Sequence, residues 1–241
     1  MGIQNIPEHE LARLREKAKE ITGSQFDYQS SYTDLLSRRL NGEPLQYIEE
    51  YVPFYSIQIN IDQRCLIPRP ETEYMIEIIK NNVNAPKKIL DVGTGSGCIA
   101  LMMKKLFPDS EVHAVDISND AINLAKENAE INNLEVDFYQ SDLLTNVEKL
   151  DFDLIVANLP YIPTSTLSTL AKEVIDHEPL IALDGGEDGR LYIDKLLNDL
   201  KNIDSKELVL VLEVDTSHAE SLLSSFTDWE DVKLEKDLVE R

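Results

Sequence analysis

Cysteine is scarce in this chain. Two of its 241 residues, Cys65 and Cys98, carry thiols; they make no disulfide framework, and a reduced, cytoplasmic setting is expected. Basic residues are scarce too. Lys and Arg number 23 against 45 Asp and Glu, for a formal net charge of −22. A surface this acidic repels phosphate backbones, which proteins bind through Lys and Arg, so DNA or RNA is not expected as the main partner. No apolar run approaches the roughly 18 residues of a membrane span, and no membrane contact is expected. Met1-Gly-Ile-Gln-Asn5 has neither the basic nor the apolar stretch of a secretion signal. The chain has no internal repeat, low-complexity tract or flexible linker, and no residue is assigned to a metal. What is present is core material. Hydrophobic residues make up 42%, enough for one large α/β domain with a small appendage.

The appendage comes first. Good helix formers from Glu8 to Ile21, with Pro7 at the first turn and Gly23 as the stop, predict one helix. Tyr32 to Leu40 predicts a second, ended by Asn41-Gly42. Tyr47 to Tyr51 and Tyr55 to Ile61 predict two strands around Pro53. In the second, Ile57, Ile59 and Ile61 face one way and Ser56, Gln58 and Asn60 the other. Residues 1–62 form this unit, and residues 63–241 the larger one. Leu66-Ile-Pro-Arg-Pro-Glu-Thr-Glu73 is a rigid loop leading into a helix from Glu71 to Asn81. Thr72 or its acidic neighbours can satisfy the open amides at that helix start. Arg69, between two prolines, is either held out on a stiff platform or an ordinary surface residue.

Strands and helices then alternate. Ile89 to Val92 is a strand, Gly93, Gly95 and Gly97 a tight turn, and Cys98 to Phe107 a helix. Glu111 to Asp116 is a second strand, and Ser118 caps a helix from Asn119 to Asn132. Val136 to Tyr139 is a third strand, leading to Ser141-Asp142-Leu143. Leu154 to Ala157 is a fourth, Leu208 to Val214 a fifth, and Val232 to Lys236 a candidate sixth. This order predicts a doubly wound, mostly parallel, Rossmann-like sheet.

Two strand ends carry candidate chemistry. The fourth strand stops on Asn158-Leu-Pro-Tyr161. Pro160 cannot donate to a ladder, so the backbone leaves the sheet there. An amide, two backbone carbonyls and an aromatic ring are thereby held at a carboxyl end, where open α/β sheets bind ligands. Such a corner accepts both hydrogens of a planar –NH2 group and positions it, with no strong base or nucleophile of its own. The glycine turn lets a ligand approach the backbone closely. A dinucleotide fingerprint reads G-x-G-x-x-G. Here the spacing is G-x-G-x-G after Asp91, with Asp116 and Asp142 ending the next two strands.

That form is similar to the first motif of the S-adenosylmethionine (SAM) methyltransferases. The similarity implies that Gly93, Thr94, Gly95, Ser96 and Gly97 lie against the amino-acid part of SAM. It also implies that Asp116 takes the ribose hydroxyls, and that Asp142 and Leu143 meet the adenine. More specifically, the chain resembles the HemK/PrmC-type protein-(glutamine-N5) methyltransferases, which methylate the Gly-Gly-Gln glutamine of peptide-chain release factors. The resemblance runs from about Gly42 to Lys236 and is carried by five stretches. They are Gly42-Glu-Pro-Leu-Gln-Tyr47, Leu66 to Glu73, Asp91 to Gly97, Asn158 to Tyr161, and His177-Glu-Pro-Leu-Ile-Ala-Leu-Asp-Gly-Gly-Glu-Asp-Gly189. It implies a SAM-dependent enzyme with a release factor as partner, acting as a monomer. Asn158 and the carbonyl of Leu159 would accept the two amide hydrogens, Pro160 would shape the turn, and Tyr161 would pack on the amide. Asn158 would also adjoin SAM.

The chain departs from the family in three places. Leu159 stands where the family has Pro, the segment before Gly42 is shorter, and the family continues past Arg241 into a last antiparallel strand. Two alternatives stand beside this reading. An adenine-N6 methyltransferase of nucleic acid would use the same corner, and Asn-Leu-Pro-Tyr is the form in rRNA adenine dimethyltransferases. A shortened paralogue would bind SAM without turnover.

Overall fold

A computed structural model describes residues 6–23, 27–148, 151–201, 207–227 and 229–236. The chain opens with α1 (Glu8–Thr22), α2 (Tyr28–Leu40) and α3 (Leu45–Glu49). Gly23 ends α1 in the left-handed conformation, donating its amide to Lys19. The second helix begins a turn before Tyr32. Leu14, Ala18, Leu35, Leu45 and Ile48 form a small core of their own among these helices.

The strand expected from Tyr47 to Tyr51 is instead α3 and its exit. Pro44 has the fixed φ of a helix entry, −54°, and its carbonyl accepts from the Tyr47 and Ile48 amides at 3.1 and 3.2 Å. The hairpin follows as β1 (Tyr51–Phe54) and β2 (Ile57–Asn60), so Pro53 lies within a strand, opposite Gln58, and not between two. A two-stranded ladder has two free edges, and a proline whose nitrogen faces outward there removes no bond. Ile57, Ile59 and Ile61 are buried, as their alternation predicts.

The larger unit contains α4 (Pro70–Asn82), β3 (Lys88–Val92), α5 (Cys98–Leu106), β4 (Glu111–Asp116), α6 (Asn119–Asn132) and β5 (Asp137–Gln140). It continues with β6 (Leu154–Asn158), α7 (Lys172–His177), α8 (Leu191–Leu200), β7 (Val209–Glu213) and α9 (Thr216–Leu223). The five strands β3 to β7 form one parallel sheet in the order β5-β4-β3-β6-β7. Chain direction along the sheet reverses between β3 and β6, so a crevice opens where their carboxyl ends part.

Successive side chains point to opposite faces of a strand. Ile89, Leu154 and Val156 therefore join α4, α5, α6 and the β1–β2 hairpin in one core. Leu90, Val92, Ile155 and Ala157 join α8 and α9 in the other. Burial on both faces explains why β3 and β6 read as continuous apolar runs.

Val232 to Lys236 forms no strand. Val232 and Leu234 are 42% and 47% exposed, so the alternation there has no partner face to cover it. Expectations on residues 237–241 lie outside the described residues.

Candidate active site

The crevice between β3 and β6 is a cavity walled by the glycine turn, Asp116, Asp142, Leu143, Asn158, Leu159 and Pro160. Each wall has a local cause. Asp91, the fourth residue of β3, is fully buried. Its Oδ2 accepts from Thr94 Oγ1 at 2.6 Å and from the Ala100 amide at 3.0 Å, tying the turn to the start of α5. Its Oδ1 has no protein partner. Burial pushes this carboxyl up to about 7, against the pull of those two donors.

The turn is also tied to β4. The Gly93 and Thr94 amides both donate to the Val115 carbonyl at 2.9 Å. Asp116 holds the turn and the next helix together: Oδ2 accepts from the Gly95 amide at 2.9 Å and Oδ1 from the Ser118 amide at 2.8 Å. Burial raises the Asp116 carboxyl, opposed by these backbone donors. Ser118 caps α6 by accepting from the Ala121 amide, as predicted.

The predicted residues are not all placed alike. Gly93, Thr94, Gly95 and Ser96 line the cavity. Gly97 packs behind it, where an added Cβ would lie 3.0 Å from the Ala125 Cβ. Asp142 lines the cavity while paired to Lys195 at 2.6 Å. Leu143 is buried beside it at φ +48°. Leu159 is buried with its side chain over Gly93. Asn158 Nδ2 donates to Thr72 Oγ1 at 3.1 Å, and the Tyr161 hydroxyl donates to Glu213 at 3.3 Å.

Three side chains here were not assigned to the site from the sequence. Thr72, expected to cap α4, makes no cap bond and instead donates to Glu213 Oε2 at 2.9 Å. Of the residues at that helix start, Pro70 has no amide to offer, and the Thr72 amide bonds the Arg69 carbonyl. Glu213 ends β7 as Asp116 ends β4. An acid at a strand end was the available signal, but the strand was drawn past it to Val214. Burial raises the Glu213 carboxyl, opposed by bonds from Thr72, Tyr161 and Asn158. Glu178 is the third. It is buried, accepts from the Ile67 amide at 3.1 Å and pairs with Arg69 at 2.6 Å. Arg69 is thus neither held out nor an idle surface residue; it joins the Pro-Arg-Pro loop to the His-Glu-Pro segment.

The glycines after His177 brace the corner from outside. Gly189 lies at φ +78°, and a Cβ there would come 2.3 Å from the Tyr161 carbonyl. Gly185 donates its amide to Ile162 at 2.8 Å, and Ile162 donates to Leu183 at 3.1 Å. Only a backbone without side chains fits this closely.

Known proteins resemble this chain in sequence and in fold. The Methyltransferase small domain family matches residues 70–193. The release factor glutamine methyltransferase of Koribacter versatilis (strain Ellin345) is 38% identical over 217 residues, 88% of this chain and 77% of that protein. The chain belongs to the release factor glutamine methyltransferases. The Thermodesulfovibrio yellowstonii member is 37% identical over 224 residues, covering 89% of this chain and 79% of its own. A methyltransferase structure from Pyrococcus furiosus shares the fold, with a TM-score of 0.52 and 22% identity over 80% of this chain and 83% of that one.

The cofactor of this family member is S-adenosyl-L-methionine, and the residues present fit it. Gly95 lines the cavity, and a Cβ there would meet nothing within 4 Å, so its backbone is open to a ligand. The Asp116 oxygens take backbone amides, Gly95 and Ser118 among them, and a carboxylate's lone-pair sites leave room for a hydroxyl. Leu143 and Ile117 give the same wall an apolar side for a base. Among the described lining residues the cations are Arg64 and Arg69, and both are paired with carboxylates. A pyrophosphate has no free cation to meet. None of the described helices is long and apolar enough to cross a membrane.

Proposed function

We propose that the chain transfers the SAM methyl group to the side-chain amide nitrogen of the glutamine in the Gly-Gly-Gln motif of a peptide-chain release factor. The observation that carries this reading is the Asn158 amide. Its nitrogen is turned toward Thr72 and Glu213, which leaves its oxygen as the group it offers to the cavity it lines. That oxygen accepts one hydrogen of the substrate –NH2, and the Leu159 carbonyl accepts the other. Pro160 keeps that carbonyl out of the ladder, and Tyr161 packs on the planar amide.

An amide nitrogen is a weak nucleophile because its lone pair is delocalised. The corner offers no free base, since Glu213 is already bonded by Thr72 and Tyr161. Rate then comes from orientation and from polarising the N–H bonds. Bound SAM supplies an electrophilic methyl on a sulfonium. On the cofactor side, Gly93 to Gly97, including Thr94 and Ser96, receive the amino-acid part, Asp116 the ribose, and Asp142 and Leu143 the adenine. Asn158 lies between the two ligands.

The same reading divides the work at residue 62, with residues 1–62 gripping the substrate and residues 63–241 holding the cofactor. The protein acts as a cytoplasmic monomer away from membranes, with protein and not nucleic acid as its partner. Tritiated SAM offered with a release factor, the same factor with its Gly-Gly-Gln glutamine replaced by alanine, rRNA and DNA tests this directly. Label is expected in the unaltered factor alone. Label in rRNA or DNA, or in the glutamine-free factor, overturns the assignment.

A further inference from the structure

The groups behind Asn158 form a hydrogen-bond chain with one direction. Asn158 Nδ2 donates to Thr72 Oγ1, Thr72 Oγ1 donates to Glu213 Oε2, and the Tyr161 hydroxyl donates to Glu213 Oε1; Asn158 also bonds Glu213 itself. Glu213 is the register partner of Asn158 on the neighbouring strand, and Thr72 is 2% exposed at the start of α4. One carboxylate therefore engages both ends of the Asn158–Tyr161 corner.

A hydroxyl has one proton to give. Thr72 spends it on Glu213 Oε2, and so Thr72 can only accept from Asn158. A primary amide has two ends of similar shape and opposite polarity. Against a hydroxyl whose proton is spent, only the nitrogen end fits. Turned over, Asn158 would press its oxygen against the Thr72 lone pairs and present N–H groups to the N–H groups of the acceptor.

Building on the functional reading above, we propose that Glu213 is a positioning residue for methyl transfer: acting directly on the Asn158 nitrogen and through Thr72, it fixes the Asn158 amide with its oxygen toward the acceptor –NH2. Glutamine at this position could donate as well as accept. The Thr72 hydroxyl would then lose its fixed direction, and Asn158 could adopt either orientation.

The test combines turnover with a direct view of the amide. Glu213→Gln keeps the side-chain volume and is expected to lower kcat on a release factor about 100-fold, the scale of a misplaced reacting group. SAM affinity by calorimetry should stay within about twofold, because an interaction made only during transfer has been removed. Thr72→Val, which keeps the shape without the hydroxyl, should lose a similar factor, and Thr72→Ser should recover most of it. If both act through the same amide, the double variant should be no slower than the slower single one. Thr72→Val also serves should Glu213→Gln fail to fold.

The Asn158 side-chain amide signals, assigned by their loss in Asn158→Ala, read orientation without substrate. In the wild type, one proton should be shifted downfield by Thr72, and both Glu213→Gln and Thr72→Val should abolish that shift. Wild-type turnover in Glu213→Gln overturns the proposal. So do losses that multiply in the double variant, or SAM affinity that falls in step with kcat. A wild-type protein that methylates no release factor while its amide signals behave as expected removes the functional reading and leaves the positioning standing. Methyl transfer with amide signals indifferent to Glu213→Gln does the reverse.

Discussion

Replacing Asp116 by alanine should damage stability and cofactor binding together, and by amounts that can be worked out. The carboxylate takes the Gly95 amide on one oxygen at 2.9 Å and the Ser118 amide on the other at 2.8 Å. Hydrogen bonds to a charged group contribute about 1.5–3 kcal/mol each. The Ser118 amide sits at the start of α6, where water can replace part of the loss, so the folded state should lose about 3 kcal/mol in all. In a domain of this size, that lowers Tm by about 6–12 °C. Binding should suffer separately. Leaving the ribose hydroxyls without their acceptor costs about 1–3 kcal/mol in all, so SAM affinity should fall about 5-fold to about 150-fold. Differential scanning calorimetry measures the first effect and titration calorimetry with SAM the second. Asp116→Asn keeps one oxygen and should fall between wild type and Asp116→Ala in both. If Asp116→Ala folds and binds SAM with wild-type affinity, Asp116 does not face the ribose. If Tm is unchanged, the two backbone bonds are not what holds the turn.

Three further outcomes follow from the packing. Asn128 is fully buried and bonds Asn60 through both its oxygen and its nitrogen, at 2.7 and 2.9 Å, and the Ser96 carbonyl at 2.9 Å. Asn128→Ala should cost about 3 kcal/mol in denaturant unfolding by leaving those backbone groups unpaired; a loss inside error would mean that the hairpin does not depend on α6. Gly189→Ala forces a Cβ against the Tyr161 carbonyl at positive φ, so about 2–4 kcal/mol of stability should go, with turnover falling as the corner shifts. A variant of unchanged Tm and unchanged rate would remove the bracing role. Asp91 has its carboxyl raised from 3.8 to about 7 by burial. The folded protein therefore binds this proton more tightly than the unfolded chain, and the resulting stability is present at low pH and lost as pH rises from 3.8 to about 7. Chemical denaturation across that window should show wild-type stability declining relative to Asp91→Asn; parallel curves would count against the shift.

The sheet and its cofactor turn could be read from the chain because their signals are local. Ile89 to Val92 and Leu154 to Ala157 are apolar runs short enough to be strands, and the spacing of Gly93, Gly95 and Gly97 forces a turn whatever surrounds it. Glu111 to Asp116 and Asn119 to Asn132 were legible to the residue, since Ser118 is both a cap and a boundary. The Asn158-Leu-Pro-Tyr161 corner needed only Pro160 to mark the strand end. Where local signals compete, the reading fails. Tyr47 to Tyr51 has strand-forming residues, but Pro44 starts a helix and the small core under α1 and α2 takes up Leu45 and Ile48. Val232 to Lys236 alternates like a strand and finds no face to cover it.

What only the tertiary structure decided is which side chains meet. Thr72 and Asn158 are 86 residues apart, Thr72 and Glu213 are 141 apart, and Arg69 and Glu178 are 109 apart. A hydroxyl at a helix start looks like a cap until a carboxylate from a strand end arrives beside it. An acid inside an apolar strand is unremarkable until its register partner is the asparagine of the corner. Local sequence sets φ, ψ and the period of apolar residues, and these fix the elements. The polarity of a buried amide is set by whatever donors and acceptors the fold brings within about 3 Å of it, and no spacing along the chain encodes that.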